Sequence, residues 1–269
     1  MSGPAELSDD DLVAHALAVH VLSGDDTEVY DACVAELQRR GTVPIGHRAL
    51  GLLADARPEA RALGADVLGQ FAAGTSLDAL LALAHKEVDP LVLDSIVGAL
   101  GQLGDQAALL TVLAAAADGS YRVRSAAAKA LPRLAGVGVA SAEDPLVAAL
   151  LALAADEDQE VRNWAAFGLG SQLDVDGLAI RDVLRRLLDD ADEDTRAEAM
   201  VGLARRQDLG VIPVVAAALE AEEVGRLAVT AAELLASPAL VAGLRGLAGW
   251  WDVDEELLAA ATRACDPDA

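Results

Sequence analysis

A short phrase occurs twice in the middle of the chain and constrains the fold more than any other feature. It reads DEDQEVRNWAAFGLG from residue 156 and DADEDTRAEAMVGLA from residue 190. In each copy acidic residues precede an Arg, an Ala follows three positions after it, and a Leu follows seven positions after it. Because these spacings fall on one face of an α-helix, the phrase predicts a helix that packs closely against another helix.

The phrase can be aligned along the whole chain when its Arg is taken as the reference position. The reference positions are Tyr30, Arg61, Leu93, Arg124, Arg162, Arg196, Leu227 and Leu258. They are 31 to 38 residues apart, which is typical of solenoids whose units are helical hairpins that bury their apolar faces against one another. Apolar runs predict the first helix of each hairpin at 12–22, 45–54, 77–84, 109–117, 146–155, 180–188, 211–219 and 240–247.

Positions that were not used for this alignment agree with it. Seven residues after the reference come Leu37, Leu68, Leu100, Leu131, Leu169, Leu203, Leu234 and Cys265. Three residues after it come Cys33, Gly64, Ile96, Ala127, Ala165, Ala199, Thr230 and Ala261. We expect both sets to be buried, and we expect the mostly small residues of the second set to allow close approach of the neighbouring hairpin.

An acidic residue precedes the reference by four or six positions in every unit. These residues are Asp26, Asp55, Asp89, Asp118, Asp158, Asp192, Glu223 and Asp254. An acid there can cap the N-terminus of the second helix, so we interpret these carboxylates as caps and not as catalytic pairs. We likewise interpret the repeated Arg at 61, 124, 162 and 196 as a structural ladder and not as a ligand site.

The composition indicates an all-α protein. Hydrophobic residues make up 54% of the chain but aromatic residues only 3%, which favours close helix–helix contacts over strands. The predicted fold is a right-handed α-solenoid of about eight antiparallel helical hairpins, forming a single domain over residues 1–269. Pro132 should shorten or kink a second helix, and residues 136–144 read as an inserted loop where the solenoid bends.

The net charge of −24 disfavours some partners. Binding to a phosphate backbone needs a basic surface, so nucleic acid is not expected, and the acidic surface is attributed mainly to solubility. The two cysteines lie near opposite ends of the chain, which fits a reducing compartment. Without a long apolar run or a basic N-terminal segment, neither membrane spanning nor export is predicted, and cytoplasmic localisation is the default expectation.

The pattern D-x-x-x-x-V-R-x-x-A-A-x-x-L, clearest at 118–131 and, with a following Gly, at 156–170, resembles the HEAT repeat, particularly the short bacterial type found in phycobilin lyases. The resemblance covers nearly the whole chain. It implies a scaffold or a protein-binding surface, with the second helix of each hairpin lining a concave face. A few enzymes share such repeats, so a lyase-like or modifying enzyme is the alternative that the resemblance leaves open.

No pattern in the sequence indicates catalysis. A Gly-rich phosphate loop, a nucleophile elbow and a paired Cys motif are all absent, and the four histidines are scattered. The His-Glu dipeptides of the di-iron hydroxylases that are built on HEAT repeats are absent as well. We therefore predict no catalytic residues, no metal and no cofactor.

The candidate binding surface lies on the second helices of units four to six. Its residues are Lys129, Arg133, Trp164, Phe167, Gln172, Glu198, Arg205 and Arg206. Trp164 and Phe167 are three residues apart, hence on one face, and cations flank them in an otherwise acidic chain. An aromatic floor with an exposed basic rim suits an acidic or C-terminal peptide segment.

Two other interpretations of these residues remain open at this point. Trp164 and Phe167 could be ordinary core residues between adjacent helices, and Arg205 and Arg206 could only pair with acidic turns. Elsewhere, Trp250 and Trp251 are expected to close the end of the core, although an exposed pair would indicate a second contact site. The leading hypothesis is a non-catalytic scaffold that binds a protein or peptide.

Overall fold

The computed structural model describes residues 4–22, 27–71, 74–136 and 143–266. Within these ranges the regular structure consists of sixteen α-helices and short helical turns, without any strand. The helices follow one another as hairpins, and the eight first helices begin and end within a few residues of the predicted runs. The predicted all-α repeat fold is confirmed.

The chain forms two compact units, Met1–Val137 and Gly138–Ala269. The first unit contains α1 to α8: Asp9–Leu22, Thr27–Arg40, Val43–Leu52, Pro58–Leu68, Thr75–Ala84, Pro90–Leu103, Leu109–Ala115 and Tyr121–Ala130. The second unit contains α9 to α16: Pro145–Leu153, Gln159–Phe167, Leu178–Leu187, Glu193–Arg205, Ile212–Leu219, Arg226–Leu235, Val241–Leu247 and Glu255–Cys265. Most of the loop predicted at 136–144 lies outside the described residues, so the loop and the single domain over 1–269 stay predictions.

The burial pattern confirms the repeat register in every unit except the seventh. Seven of the eight residues at the Leu position are buried, at 0% to 1% exposure, and the Ala residues at the small position are fully buried. In unit seven Leu234 and Thr230 are partly exposed, while their neighbours Leu235 and Ala231 are buried. The predicted register was one residue off there because α14 begins after Gly225, which offers no capping side chain to mark the start of the helix.

The acidic residues before the second helices have two distinct roles. Asp89, Asp158, Asp192 and Asp254 are N-caps that accept backbone N–H groups of the first turn, as predicted. Asp55 and Asp118 lie two residues before the cap and accept the N–H of Arg57 at 2.9 Å and of Ser120 at 2.8 Å, which holds the turn itself. Glu223 caps no helix, and Asp26 lies outside the described residues.

The four repeated arginines bind the turn that precedes their own helix. In each case Nη1 donates to the backbone oxygens six and five residues earlier, over 2.8 to 3.1 Å. The pairs are Arg61 with Asp55 and Ala56, Arg124 with Asp118 and Gly119, Arg162 with Asp156 and Glu157, and Arg196 with Asp190 and Ala191. We call this set the arginine ladder. Its predicted structural role is confirmed.

Two rungs of the arginine ladder also join neighbouring hairpins. In the first unit Arg61 donates from Nε and Nη2 to the carboxylate of Glu87, at 2.8 and 3.2 Å. In the second unit Arg162 makes the same fork to Asp190, at 2.7 and 3.0 Å. Each of these carboxylates belongs to the turn of the next hairpin, so one guanidinium fixes two successive turns.

Pro132 ends a second helix, as the sequence predicts. The α-helical part of α8 stops at Ala130, and Leu131–Leu134 continue as a 3-10 turn. Proline cannot donate the backbone hydrogen bond that an α-helix needs at this position, and its ring clashes with the preceding turn. The tighter 3-10 turn still buries Leu131 and Leu134, so the repeat keeps its core contacts.

The close packing of the small positions generates the first prediction. Ala165 on α10 is fully buried, whereas Ala148 on α9 is exposed. We expect Ala165→Leu to lower the free energy of unfolding by about 1–3 kcal/mol, because the added carbons overfill a closed contact. Urea denaturation of this variant and of the matched control Ala148→Leu measures the difference. Equal midpoints for the two variants would contradict the packing register.

Candidate functional site

The two central aromatic residues of the predicted surface form an edge-to-face pair on α10. The ring centroids of Trp164 and Phe167 are 5.8 Å apart, with an angle of 84° between the ring planes. Such a geometry is favourable for aromatic rings. Both side chains are half-buried, so neither of the two sequence interpretations is complete. The pair contacts the protein and also presents part of its surface to solvent.

The end of α10 has a feature that the sequence analysis missed. Gly168–Gln172 form a π-helical turn, in which the N–H of Leu173 donates to the oxygen of Gly168 over 3.0 Å. At this turn the backbone lies against α12: a Cβ added to Gly170 would be 2.7 Å from the oxygen of Glu198. The phrase G-L-G was the available signal, because glycine pairs permit close helix contact and π turns.

This close approach places a carboxylate beside the π turn that follows the aromatic pair. Ser171, which follows Phe167 by one turn, donates its hydroxyl proton to Oε2 of Glu198 over 2.7 Å. Glu198 is half-buried, and this burial raises the pKa of its carboxyl group, although the Ser171 hydrogen bond opposes the rise. Glu198 also holds the same repeat position on α12 as Trp164 holds on α10. We call Trp164, Phe167, Ser171 and Glu198 the aromatic–carboxylate patch.

Arg206 is not part of an exposed basic rim, contrary to the sequence prediction. Its side chain is only 5% exposed. It donates to the backbone oxygens of Leu169 at 2.7 Å, Val175 at 2.6 Å and Gly202 at 2.9 Å. Burial lowers the pKa of its guanidinium. The residue binds carbonyl groups that the end of a helix leaves without partners in its own backbone.

Arg205 has a similar structural role. It donates to the backbone oxygen of Gly170 over 3.1 Å, to the oxygen of Ser171 and to the carboxylate of Asp174. Both arginines therefore come from the end of α12 to cap the π turn of the preceding hairpin. The alternative in which Arg205 and Arg206 only pair with acidic turns was closer to the structure. Most of their acceptors, however, are backbone carbonyls and not acidic side chains.

The remaining predicted residues are divided between the two compact units. Gln172 is exposed at the end of the π turn, in the same unit as the aromatic–carboxylate patch. Lys129, half-buried on α8, and Arg133, exposed in the following 3-10 turn, belong to the first unit. Their participation in one common site stays a prediction.

The two adjacent tryptophans have different environments. Trp251 is 5% exposed and donates its indole N–H to the oxygen of Val224 over 2.7 Å, so it closes the core as expected. Trp250 is 53% exposed and donates to the oxygen of Gly246 over 2.8 Å. The pair is therefore not an exposed pair, and only Trp250 offers an apolar surface.

A buried polar pair in the first unit was also missed by the sequence analysis. The hydroxyl of Tyr30 donates to Oδ2 of Asp66 over 2.5 Å. Burial raises the pKa of the Asp66 carboxyl from its usual 3.8 to about 6, and hydrogen bonds from Tyr30 and Ser95 limit the rise. Tyr30 stands at the reference position where other units have Arg, so this pair connects α2 and α4 by a different polar contact.

Comparison with known proteins gives a family match over most of the chain. A family model described as HEAT repeats matches residues 47–132 and 144–236, together more than half of the sequence. Protein YibA of Escherichia coli strain K12 is 40% identical over 65 residues, which are 24% of this chain and 23% of YibA. The local match therefore spans about a quarter of the curated relative.

Solved structures share the fold over almost the full chain. The crystal structure of YibA matches with a TM-score of 0.70 and 25% identity, covering 97% of this chain and 93% of that chain. Importin beta matches with a TM-score of 0.56 and 13% identity, covering 94% and 43%. The complex of CpcE and CpcF of phycocyanin lyase from Nostoc sp. PCC7120 matches with 0.51 and 14%, covering 96% and 95%. Importin beta and the CpcE–CpcF complex therefore share only the fold with this chain.

The described residues contain no group of three or more His, Cys, Asp or Glu side chains placed to hold a metal ion. Over the same part of the chain, no helix combines the length and the apolar character that crossing a membrane requires.

The structural role of Arg206 generates the second prediction. Arg206→Met should lower the free energy of unfolding by about 2–4 kcal/mol, because several backbone oxygens lose a charged donor in a closed site. The matched control is Arg186→Met at an exposed position of α11, which should change stability by less than about 0.5 kcal/mol. Denaturant titration measures both variants. If Arg206→Met were as stable as the wild type, this structural role would be contradicted and Arg206 would again be a candidate binding residue.

The raised pKa of Asp66 generates the third prediction. Between about pH 4 and 6 the folded protein keeps the Asp66 proton while the unfolded chain releases it, so this group makes stability fall as pH rises. The fall should total about 3 kcal/mol over this window. Asp66→Asn, which still accepts the Tyr30 hydrogen bond, should lack this component. Urea unfolding at a series of pH values measures it, and identical slopes for both proteins would contradict the assignment.

Proposed function

We propose that this chain, which belongs to the HEAT-repeat family, is a non-catalytic scaffold that binds a protein or peptide segment along its second helices. In the second compact unit these helices form a continuous layer, since α10 contacts α12, α12 contacts α14 and α14 contacts α16. A layer of parallel helices offers an extended surface with a regular spacing of side chains. Such a surface suits an elongated partner better than a small substrate.

The aromatic–carboxylate patch is the observation that carries this proposal. Partly exposed aromatic side chains are enriched among the residues that dominate binding energy, because they bury a large area at a small cost in conformational entropy. Phe167 and Trp164 already fix each other's orientation through their edge-to-face contact. The patch is therefore ordered before a partner arrives, which favours affinity.

The charge around the patch favours a basic partner over the acidic one that the sequence suggested. The donors of Arg205 and Arg206 are engaged by backbone oxygens and by Asp174, so they do not form an available basic rim. Within the patch, the ionisable group is the carboxyl of Glu198, which accepts the hydroxyl proton of Ser171. Together with a net charge of −24, this arrangement suits a lysine or arginine side chain of a partner.

A peptide array tests this function and gives the fourth prediction. Labelled protein is applied to short peptides graded in net charge and apolar content. We expect binding to apolar, basic peptides, and we expect Phe167→Ala to weaken it by about tenfold or more because a central aromatic anchor is lost. Glu198→Gln, which keeps an acceptor for Ser171, should weaken the basic peptides selectively.

The matched control is Glu193→Gln, which neutralises an exposed carboxylate on the first turn of the same helix. It should bind as the wild type does. Unchanged binding in both patch variants, or a preference for acidic peptides, would overturn the proposal. An absorbing chromophore that copurifies with the wild type and is lost in Phe167→Ala would instead favour the lyase-like alternative.

A further inference from the structure

The arginine ladder is interrupted at the third repeat. The reference position is Leu93, whereas the repeats on either side have Arg61 and Arg124 there. Arg61 places its guanidinium between its own turn and the carboxylate of Glu87 in the next turn. The side chain of Leu93 has no charge and no hydrogen-bond donor. It therefore cannot join the turn of the third repeat to the turn of the fourth as Arg61 joins the second to the third.

A cavity of about 430 Å³ opens at this place in the first compact unit. It lies between α5 and α7 and reaches the side chains of α6 and α8. Twelve residues line it, and they include Leu93 itself, Glu87 of its own turn and Asp118 of the next turn. By repeat position, Leu93 corresponds to Arg61, Glu87 corresponds to Asp55 and Asp118 corresponds to Glu87. One repeat earlier, the guanidinium of Arg61 lies between the backbone oxygen of Asp55 and the carboxylate of Glu87.

The chemistry of the lining matches a guanidinium with an aliphatic stem. Asp118 uses one carboxylate oxygen to accept the N–H of Ser120 at 2.8 Å, and a carboxylate has capacity for further donors. Asp190, which occupies the same turn position, accepts two donors from Arg162 while also accepting the N–H of Asp192. Leu81, Val97 and Leu110 supply an apolar wall for the stem, with Leu110 exposed by 79% at the rim.

We propose that this cavity, the vacant rung of the arginine ladder, binds the side chain of an arginine from a partner protein. A planar guanidinium can reproduce the fork to the carboxylate and the bonds to turn carbonyls that Arg61 and Arg162 make in cis. Lysine carries a single point of charge and cannot make this fork. The strongly acidic chain attracts a basic partner, and the cavity is open to solvent between two first helices.

The vacant rung lies in the unit Met1–Val137, and the aromatic–carboxylate patch lies in the other unit. The inference therefore stands on different residues from the proposed function and can fail separately. Variants of Phe167 and Glu198 should leave binding at the vacant rung unchanged, which distinguishes the two sites experimentally.

A titration with three short peptides tests the chemistry of the occupant. The peptides are identical except for one central residue, which is arginine, lysine or citrulline, the neutral isostere of arginine. Binding is followed by backbone amide NMR shifts of the whole 269-residue chain. We expect the arginine peptide to shift amides around Leu93 and Asp118 and to bind at least about tenfold more tightly than either of the others. Equal binding of the arginine and citrulline peptides would overturn the proposal.

Two variants test the place of binding. Asp118→Asn removes the charge but keeps an acceptor for Ser120, and it should weaken the arginine peptide by about tenfold or more. Its control, Asp78→Asn at an exposed position of α5, should bind normally. Leu93→Arg should fill the rung in cis, raise the melting temperature and abolish peptide binding. Unaltered binding in Asp118→Asn would overturn the assignment even if Leu93→Arg failed to fold.

Discussion

The bond between one arginine and the turn before its helix is the interaction on which the rest of the structure depends. The turn of a helical hairpin leaves backbone oxygens without helical partners, and an unsatisfied buried oxygen is costly. A guanidinium that begins one turn into the second helix reaches two of these oxygens at once. The same bond recurs in four repeats, where it ties the second helix to the turn before it.

The spacing of the hairpins follows from this geometry and from the small residues. Arg61 and Arg162 reach the acid of the next turn, while Ala165 and its equivalents leave room for the next helix. Polar contacts at the turns and close apolar contacts along the helices therefore specify the same register. At the third repeat, which has Leu93 in place of the arginine, α6 still contacts α4 and α8, and an open cavity lies beside Leu93.

The sequence predicted what depends on periodicity. Buried residues at the positions of Leu169 and Ala165 and capping acids at the position of Asp158 recur at fixed spacings. Several repeats of one chain therefore carry the same sequence signal. A contact that occurs in only one repeat could not be predicted from the sequence. The π turn after Phe167 and its capping by Arg206 join backbone oxygens to a side chain of the following hairpin, and no repeat position carries that information.

For the candidate site, the role of Trp164 and Phe167 stays a prediction, whereas the exposed basic rim of Arg205 and Arg206 was wrong. Two adjacent cations in an acidic chain resemble a binding rim, yet they serve as helix caps because the π turn leaves carbonyls that need charged donors. The carboxyl of Glu198 reaches Ser171, one turn after Phe167, where Gly170 lies against α12. Tertiary contacts thus determined that Arg205 and Arg206 donate to groups of the protein itself.

A double-mutant cycle on Arg162 and Asp190 tests most directly whether the ladder joins successive hairpins. Arg162→Met, Asp190→Asn and the double variant are compared with the wild type by urea unfolding. Because the fork between these side chains is well shielded, the account predicts a coupling free energy of about 1–3 kcal/mol. Additive effects, within about 0.3 kcal/mol, would show that the contact does not tie the repeats together and would contradict the account.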